Sequence, residues 1–268
     1  MYSIQKVFNN LWVVQNRMRT EGIIKEPQEP IALIFDLDGT ILDSLNSVTV
    51  YFYTEFPQKY GVEWNKTVAD EIEKQVLEMI QGKSSKILIL KALNWVGNYF
   101  KFSLRKKIQF IKDLNTYYKA NIKKVPLFDG AYASVKELSK RKNIITCMNT
   151  SSSMKELYQR FEEREQLLDM FNGPQITRDQ VKRLKPNPDS ILKIHELTKI
   201  PLSRMIMIGD MEMDIMVGKN TNILTAGVTC GHLKEDDFKK LKTDFIFKDV
   251  KELKENVNKI IERMENIK

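Results

Sequence analysis

The chain has 268 residues, 42% of them hydrophobic, enough to bury a large core as one domain or as a domain with an insert. Its net charge of +8 is spread over short Lys and Arg clusters, and none reaches the block length of a nucleic-acid-binding tail. No apolar run approaches membrane-spanning length, and the two cysteines, Cys147 and Cys230, lack metal-type partners in sequence and read as reduced thiols of a cytoplasmic protein.

Residues 3–20 carry apolar side chains at helical spacing (Ile4, Val7, Phe8, Leu11, Val14), and Lys25 to Pro30 read as a linker, so residues 1–30 form an N-terminal helix and linker. Ile31 to Phe35 then run apolar into Asp36-Leu37-Asp38-Gly39-Thr40. A short, continuous apolar run ending in a glycine turn predicts a strand buried on both faces, as in a parallel sheet. Side chains two apart in an extended segment point the same way, so Asp36 and Asp38 project together from the carboxyl end of that strand. Two adjacent carboxylates repel, and a hard divalent cation such as Mg²⁺ relieves the conflict.

From residue 45 to about 123 the pattern is helical throughout. Helices are expected from Leu45, with Ser44 as cap, from Lys66 to Ile80, up to Trp95, and from Ser103 to Asn121. Gly61 and the turn Gln81 to Ser85 separate them. Trp64, Trp95, Tyr99, Phe100 and Phe102 are expected as the core of this insert. Strands and helices alternate again beyond it. Helices are expected at Ala131 to Arg141, Met154 to Met170, Asp189 to Leu197 and Val250 to Ile267. Strands are expected at Ile144 to Met148, Gln175 to Thr177, Met205 to Ile208, Ile223 to Val228 and Phe245 to Phe247. Alternation of this kind predicts an α/β fold, a Rossmann-like doubly wound parallel sheet. Residues 31–44 and 124–268 make up the core domain, and 45–123 the inserted helical one.

Polar groups collect at the predicted strand ends: Asp36 and Asp38; Asn149, Thr150 and Ser151 to Ser153; Lys185 within Leu-Lys-Pro-Asn-Pro; and Asp210 and Asp214 within Gly-Asp-Met-Glu-Met-Asp-Ile. Asp-Leu-Asp-Gly-Thr, Lys-Pro-Asn-Pro and Gly-Asp-x-x-x-Asp-Ile, in this order, resemble three motifs of the haloacid dehalogenase-like (HAD) hydrolase superfamily. The insert after the first motif resembles a type C1 α-helical cap, which places the chain near the phosphoglycolate phosphatase and β-phosphoglucomutase branch. The resemblance implies a Mg²⁺-dependent phosphatase acting on a small phosphomonoester through an aspartyl-phosphate. Asp36 would be the nucleophile, Asp38 the general acid–base, and Lys185 the partner of Asp36 and of the phosphate. Mg²⁺ would be held by Asp36, the carbonyl of Asp38 and Asp210, with Asp214 one helical turn on as a ligand through water or a support.

The second motif is irregular. One register puts Thr150 at the phosphate, another Asn149 and a third Met148; a hydroxyl or an amide can donate to a phosphate oxygen and methionine cannot, so Thr150 is preferred with Asn149 close behind. Gly39 completes the phosphate-binding set. Gly82, Lys83 and Ser84 are the expected cap residues for substrate choice. His195 reads as a helix-face residue, and His232, in a loop, is not assigned as a ligand. The rival readings are a phosphoglucomutase-type phosphotransferase and a non-catalytic binding protein on the same fold. The expected partner is a small molecule rather than a nucleic acid or a membrane. Oligomeric state is left open.

Overall fold

The computed structural model describes residues 29–80, 86–162 and 164–266. The N-terminal helix read at 3–20 and the turn carrying Gly82, Lys83 and Ser84 lie outside the described residues. The chain divides into two compact units: one made of the segment ending at Leu42 together with Leu127–Lys268, the other Asp43–Pro126. The second is wider than the 45–123 read from the pattern, because the chain leaves and returns side by side, with the Asp43 amide donating to the Pro126 carbonyl at 2.9 Å.

The larger unit is built on a six-stranded parallel sheet of order β3-β2-β1-β4-β5-β6. Its strands are β1 (Ile31–Phe35), β2 (Ile144–Asn149), β3 (Gln175–Ile176), β4 (Met205–Gly209), β5 (Leu224–Val228) and β6 (Phe245–Phe247). Every residue of β1, β2, β4 and β5 is buried, which is what both-sided helical cover demands of a parallel sheet. Ala32 and Ile34, Ile145 and Cys147, and Met205 and Met207 form one continuous apolar layer with Ile191, Ile194 and Val217. Burial pushes the Cys147 thiol above its usual range, which leaves it an inert core group. The strand order reverses at β1, which pairs with β2 on one side and β4 on the other. Open α/β sheets place their ligands in the crevice at such a reversal.

The smaller unit holds α1 (Ser44–Tyr60), α2 (Lys66–Ile80), α3 (Lys86–Tyr99) and α4 (Leu104–Asn121). Gly61, at φ +61°, ends α1 in a conformation that glycine adopts cheaply. Helix α1 includes Ser44, and α3 continues past Trp95 to Tyr99. Trp64, Trp95, Tyr99 and Phe100 pack against a core of Tyr51, Phe56, Phe102 and Phe110. Phe52 stacks on Trp64 with ring centroids 4.8 Å apart.

The larger unit adds α5 (Ala131–Ser139), α6 (Met154–Phe161), α7 (Asp189–Thr198), α8 (Glu212–Asn220), α9 (Glu235–Lys240), α10 (Val250–Glu255) and α11 (Val257–Glu265). Two expected helices are interrupted. The helix read at 154–170 stops at Phe161, where Glu162 turns to ψ 129°, and a 3₁₀ segment, Glu165–Met170, then carries Met170 into the core. The C-terminal helix breaks at Asn256, whose amide and side chain both return to the carbonyl of Glu252. No helix among the described residues is long and apolar enough to cross a membrane.

Asp113 on α4 accepts hydrogen bonds from Tyr60 Oη (2.6 Å) and Gln109 Nε2 (2.8 Å) and an ion pair from Lys59 (2.9 Å). Burial works to raise its pKa, but these donors outweigh burial and hold it below the usual carboxylate range. Its stabilisation is therefore present above the ordinary carboxylate range and is lost as pH falls through the depressed value. Asp113→Asn is expected to destabilise the protein by about 1 kcal/mol at neutral pH. The difference from the parent should vanish in acid, as read by urea unfolding followed by tryptophan fluorescence.

Candidate active site

The site is assembled at the carboxyl ends of β1 and β4. Strand β1 runs out at Asp36, whose amide makes a final rung to the Ile208 carbonyl at 2.8 Å. The chain then turns back on itself: Ile41 and Leu42 both donate to the Leu37 carbonyl, and Gly39 donates to the Leu42 carbonyl. Gly39 sits at φ +79°, and a β-carbon there would collide with the Asp210 carboxylate. A side chain at Gly231 would meet the same group, and one at Gly209 would meet Asp214. Glycine is thus required where backbone must approach carboxylate.

Three of the residues singled out in the sequence, Asp36, Asp210 and Asp214, are buried and bring carboxylate oxygens within 4.8 Å of one another. Lys185 reaches into them. Its Nζ lies 2.5 Å from Asp36 Oδ1 and 2.6 Å from Asp214 Oδ1, and donates to the Asn149 carbonyl at 3.1 Å. One buried ammonium therefore meets two carboxylates, with a third beside them. Burial pushes the Asp36 carboxyl well above the usual range; Lys185 pulls it back, and Asp214, Asp210 and Asp38 push it further up. Burial raises Asp214 in the same way against the pull of Lys185. For Lys185 burial acts downward, but Asp214 and Asp36 outweigh it and hold the ammonium above its ordinary value.

The oxygens are unequally occupied. Asp214 uses Oδ1 for Lys185 and Oδ2 for the Met211 amide at 3.1 Å. Asp210 Oδ2 accepts from the His232 amide (3.0 Å) and lies 2.5 Å from His232 Nδ1. Asp210 Oδ1 is buried and has no hydrogen-bond partner among the described residues. An unpartnered buried carboxylate oxygen is costly unless a cation meets it. With Asp36 beside it, the donor set is all oxygen, which suits a hard divalent ion.

Asp38 sits apart from this cluster. Arg160 Nη1 forms an ion pair with its Oδ1, and Ser152 Oγ donates to its Oδ2 at 3.4 Å. The second-motif candidates separate as follows. Met148 is a buried strand residue level with Phe35. Asn149 contributes its carbonyl to Lys185, while its side-chain amide turns to Met207 Sδ at 3.8 Å. Thr150 lies beyond the strand, buried, its hydroxyl accepting from the Ser152 amide at 3.1 Å, which leaves the hydroxyl proton to donate.

Arg160 and His232 were not assigned to the site from sequence. His232 bonds to Asp210; burial opposes its charge, but the hydrogen bond and charge of Asp210 outweigh burial and raise its pKa. Arg160 left one trace in the sequence, a charge on the apolar stripe of Leu157 and Phe161.

A family model described as haloacid dehalogenase-like hydrolase matches residues 33–228. The chain belongs to the haloacid dehalogenase-like hydrolases. Among curated relatives, this hydrolase is 26% identical over 232 residues to the pyrophosphatase PpaX of Halalkalibacterium halodurans, covering 82% of the chain and 94% of the relative. It is 26% identical over 236 residues to the phosphoglycolate phosphatase of Vibrio parahaemolyticus, covering 86% and 97%. Its fold matches the magnesium-bound structure of YfnB from Bacillus subtilis with a TM-score of 0.65 at 15% identity, over 86% of this chain and all of that one.

Removing Lys185 leaves Asp36 and Asp214 buried without their counter-charge. Lys185→Met is expected to lose about 3–5 kcal/mol of stability at neutral pH in the presence of a chelator. A carboxyl raised by folding binds more protons native than unfolded, so stability falls as pH rises through the range between its ordinary and raised values. The variant's deficit should therefore shrink on acidification, as measured by denaturant unfolding across pH.

Proposed function

We propose that this hydrolase is a Mg²⁺-dependent phosphatase that cleaves a small phosphorylated metabolite through a phosphorylated Asp36. The observation that carries the reading is the division of labour at the site. Lys185 grips one oxygen of Asp36, Oδ2 makes no hydrogen bond among the described residues, and Asp38 stands clear of the cluster on its own partners. Asp36 and Asp210, each with an oxygen to offer, would hold the ion together with the Asp38 carbonyl. Asp214, with both oxygens engaged, would support the site through Lys185. Bound there, Mg²⁺ would supply positive charge against the combined negative charge of carboxylate and phosphate.

The chain's own groups then account for the reaction. Asp36 Oδ2 attacks phosphorus, and the phosphorus–oxygen bond to the leaving group breaks. Asp38 delivers a proton to the departing oxygen. In the second half, Asp38 takes a proton from water as that water attacks the phosphoaspartate, which releases inorganic phosphate and restores Asp36. Lys185 neutralises charge gathering on Asp36 and the phosphoryl group. The Thr150 hydroxyl, the Asn149 segment and the backbone at Gly39 would cradle the phosphoryl oxygens. The helical unit would act as the cap, with Gly82, Lys83 and Ser84 choosing the substrate.

The relatives' names, pyrophosphatase and phosphoglycolate phosphatase, set the panel to assay: inorganic pyrophosphate, phosphoglycolate, sugar phosphates, nucleoside monophosphates and para-nitrophenyl phosphate. Phosphate release with Mg²⁺ is expected from at least one of them. Asp36→Asn should lower kcat by at least about 10³-fold, since it removes the nucleophile, and chelation should abolish turnover. Release unaffected by the substitution, or none from the parent on any compound, would overturn the reading.

A further inference from the structure

We infer that Arg160 is a positioning residue that sets the Asp38 carboxyl group for proton transfer, an inference that rests on the reading of Asp38 as the acid–base group. Helix α6 begins in a capping box: Ser153 Oγ accepts from the Glu156 amide at 3.2 Å, and Glu156 accepts from the Ser153 amide at 2.8 Å. With its start fixed, the helix turns Leu157, Arg160 and Phe161 inward, all buried. Arg160 is thus a charge placed on the core face of a helix. Its guanidinium meets Asp38 Oδ1, while Ser152, in the loop before the same helix, meets Oδ2. The side chain of Arg160 is 6% exposed and that of Asp38 31%, so Asp38 is held from the protein side and open on the other.

Stability is a poor reason for this arrangement. Burying an arginine and a carboxylate costs solvation that their attraction often fails to recover, and an apolar residue at 160 would simply continue the stripe of Leu157 and Phe161. Orientation is a better reason. A planar, permanently charged donor fixes the direction of a carboxylate as a flexible ammonium cannot. Donors on both oxygens, carried by one loop and its helix, fix where the acid sits. General acid–base catalysis depends on placing the proton within hydrogen-bond reach of the departing oxygen, and small displacements are costly.

A group that places the acid matters most when the leaving oxygen needs a proton. The test compares kcat/KM for phenyl phosphate, a poor leaving group, with that for para-nitrophenyl phosphate, whose phenolate departs with little help. Full-length parent, Arg160→Gln and Arg160→Lys are assayed with Mg²⁺ after circular dichroism has shown that each variant is folded. Arg160→Gln is expected to lower kcat/KM for phenyl phosphate about 10- to 100-fold and for para-nitrophenyl phosphate less than about threefold, with Arg160→Lys between. If Arg160→Gln does not fold, the same discrimination in Arg160→Lys decides. Equal losses on both esters, an effect on KM alone, or no effect would overturn the inference while leaving the phosphatase reading intact. A folded parent inactive on both esters would remove its premise and overturn it as well.

Discussion

Three buried carboxylates crowd together where the strand order reverses, and one ammonium pairs with two of them. Asp36 and Asp210 follow the ends of β1 and β4, which pair in parallel register, Asp214 lies in the first turn of α8, and Lys185 reaches Asp36 and Asp214. Charge in such a place cannot be screened by solvent, so each remaining oxygen must find a partner. Asp214 finds two within the protein, and Asp210 finds His232 for one oxygen only. On our reading the residual negative charge is what recruits a divalent ion, and that ion is what makes Asp36 usable against a phosphate.

The backbone around the cluster is shaped by the same demand. Gly39, Gly209 and Gly231 each lie where a β-carbon would overlap a site carboxylate, so the end of β4 and the loops after β1 and β5 close to backbone distance around Asp210 and Asp214. Asp38 is handled separately. Arg160 and Ser152 hold it outside the Lys185 network, so the proposed nucleophile and the proposed acid–base group keep different partners although they are two residues apart. Two neighbouring carboxylates with distinct environments are what a two-step displacement calls for.

The parallel sheet was legible because fully buried strands read as unbroken apolar runs, and the carboxylates because they fall directly after those runs. Lys185 was legible only through its proline-flanked motif; nothing local marks it as a residue that crosses to Asp36. The site's remaining partners were not legible. The pairing of Arg160 with Asp38 spans 122 positions, and that of His232 with Asp210 depends on how the loop after β5 folds back. Element ends were the other weak point. Helix α6 stops at Phe161 and the C-terminal helix breaks at Asn256, although the apolar spacing continues through both. Spacing reports which face is buried; it does not report where a carbonyl finds another donor.

The most direct test of the account is a calorimetric titration of Mg²⁺ into metal-free protein, parent against Asp210→Asn. One ion per chain is expected in the parent and no measurable binding in the variant, since Asp210 supplies the buried oxygen that has no hydrogen-bond partner among the described residues. Equal binding in both proteins, or none in the parent, would contradict it.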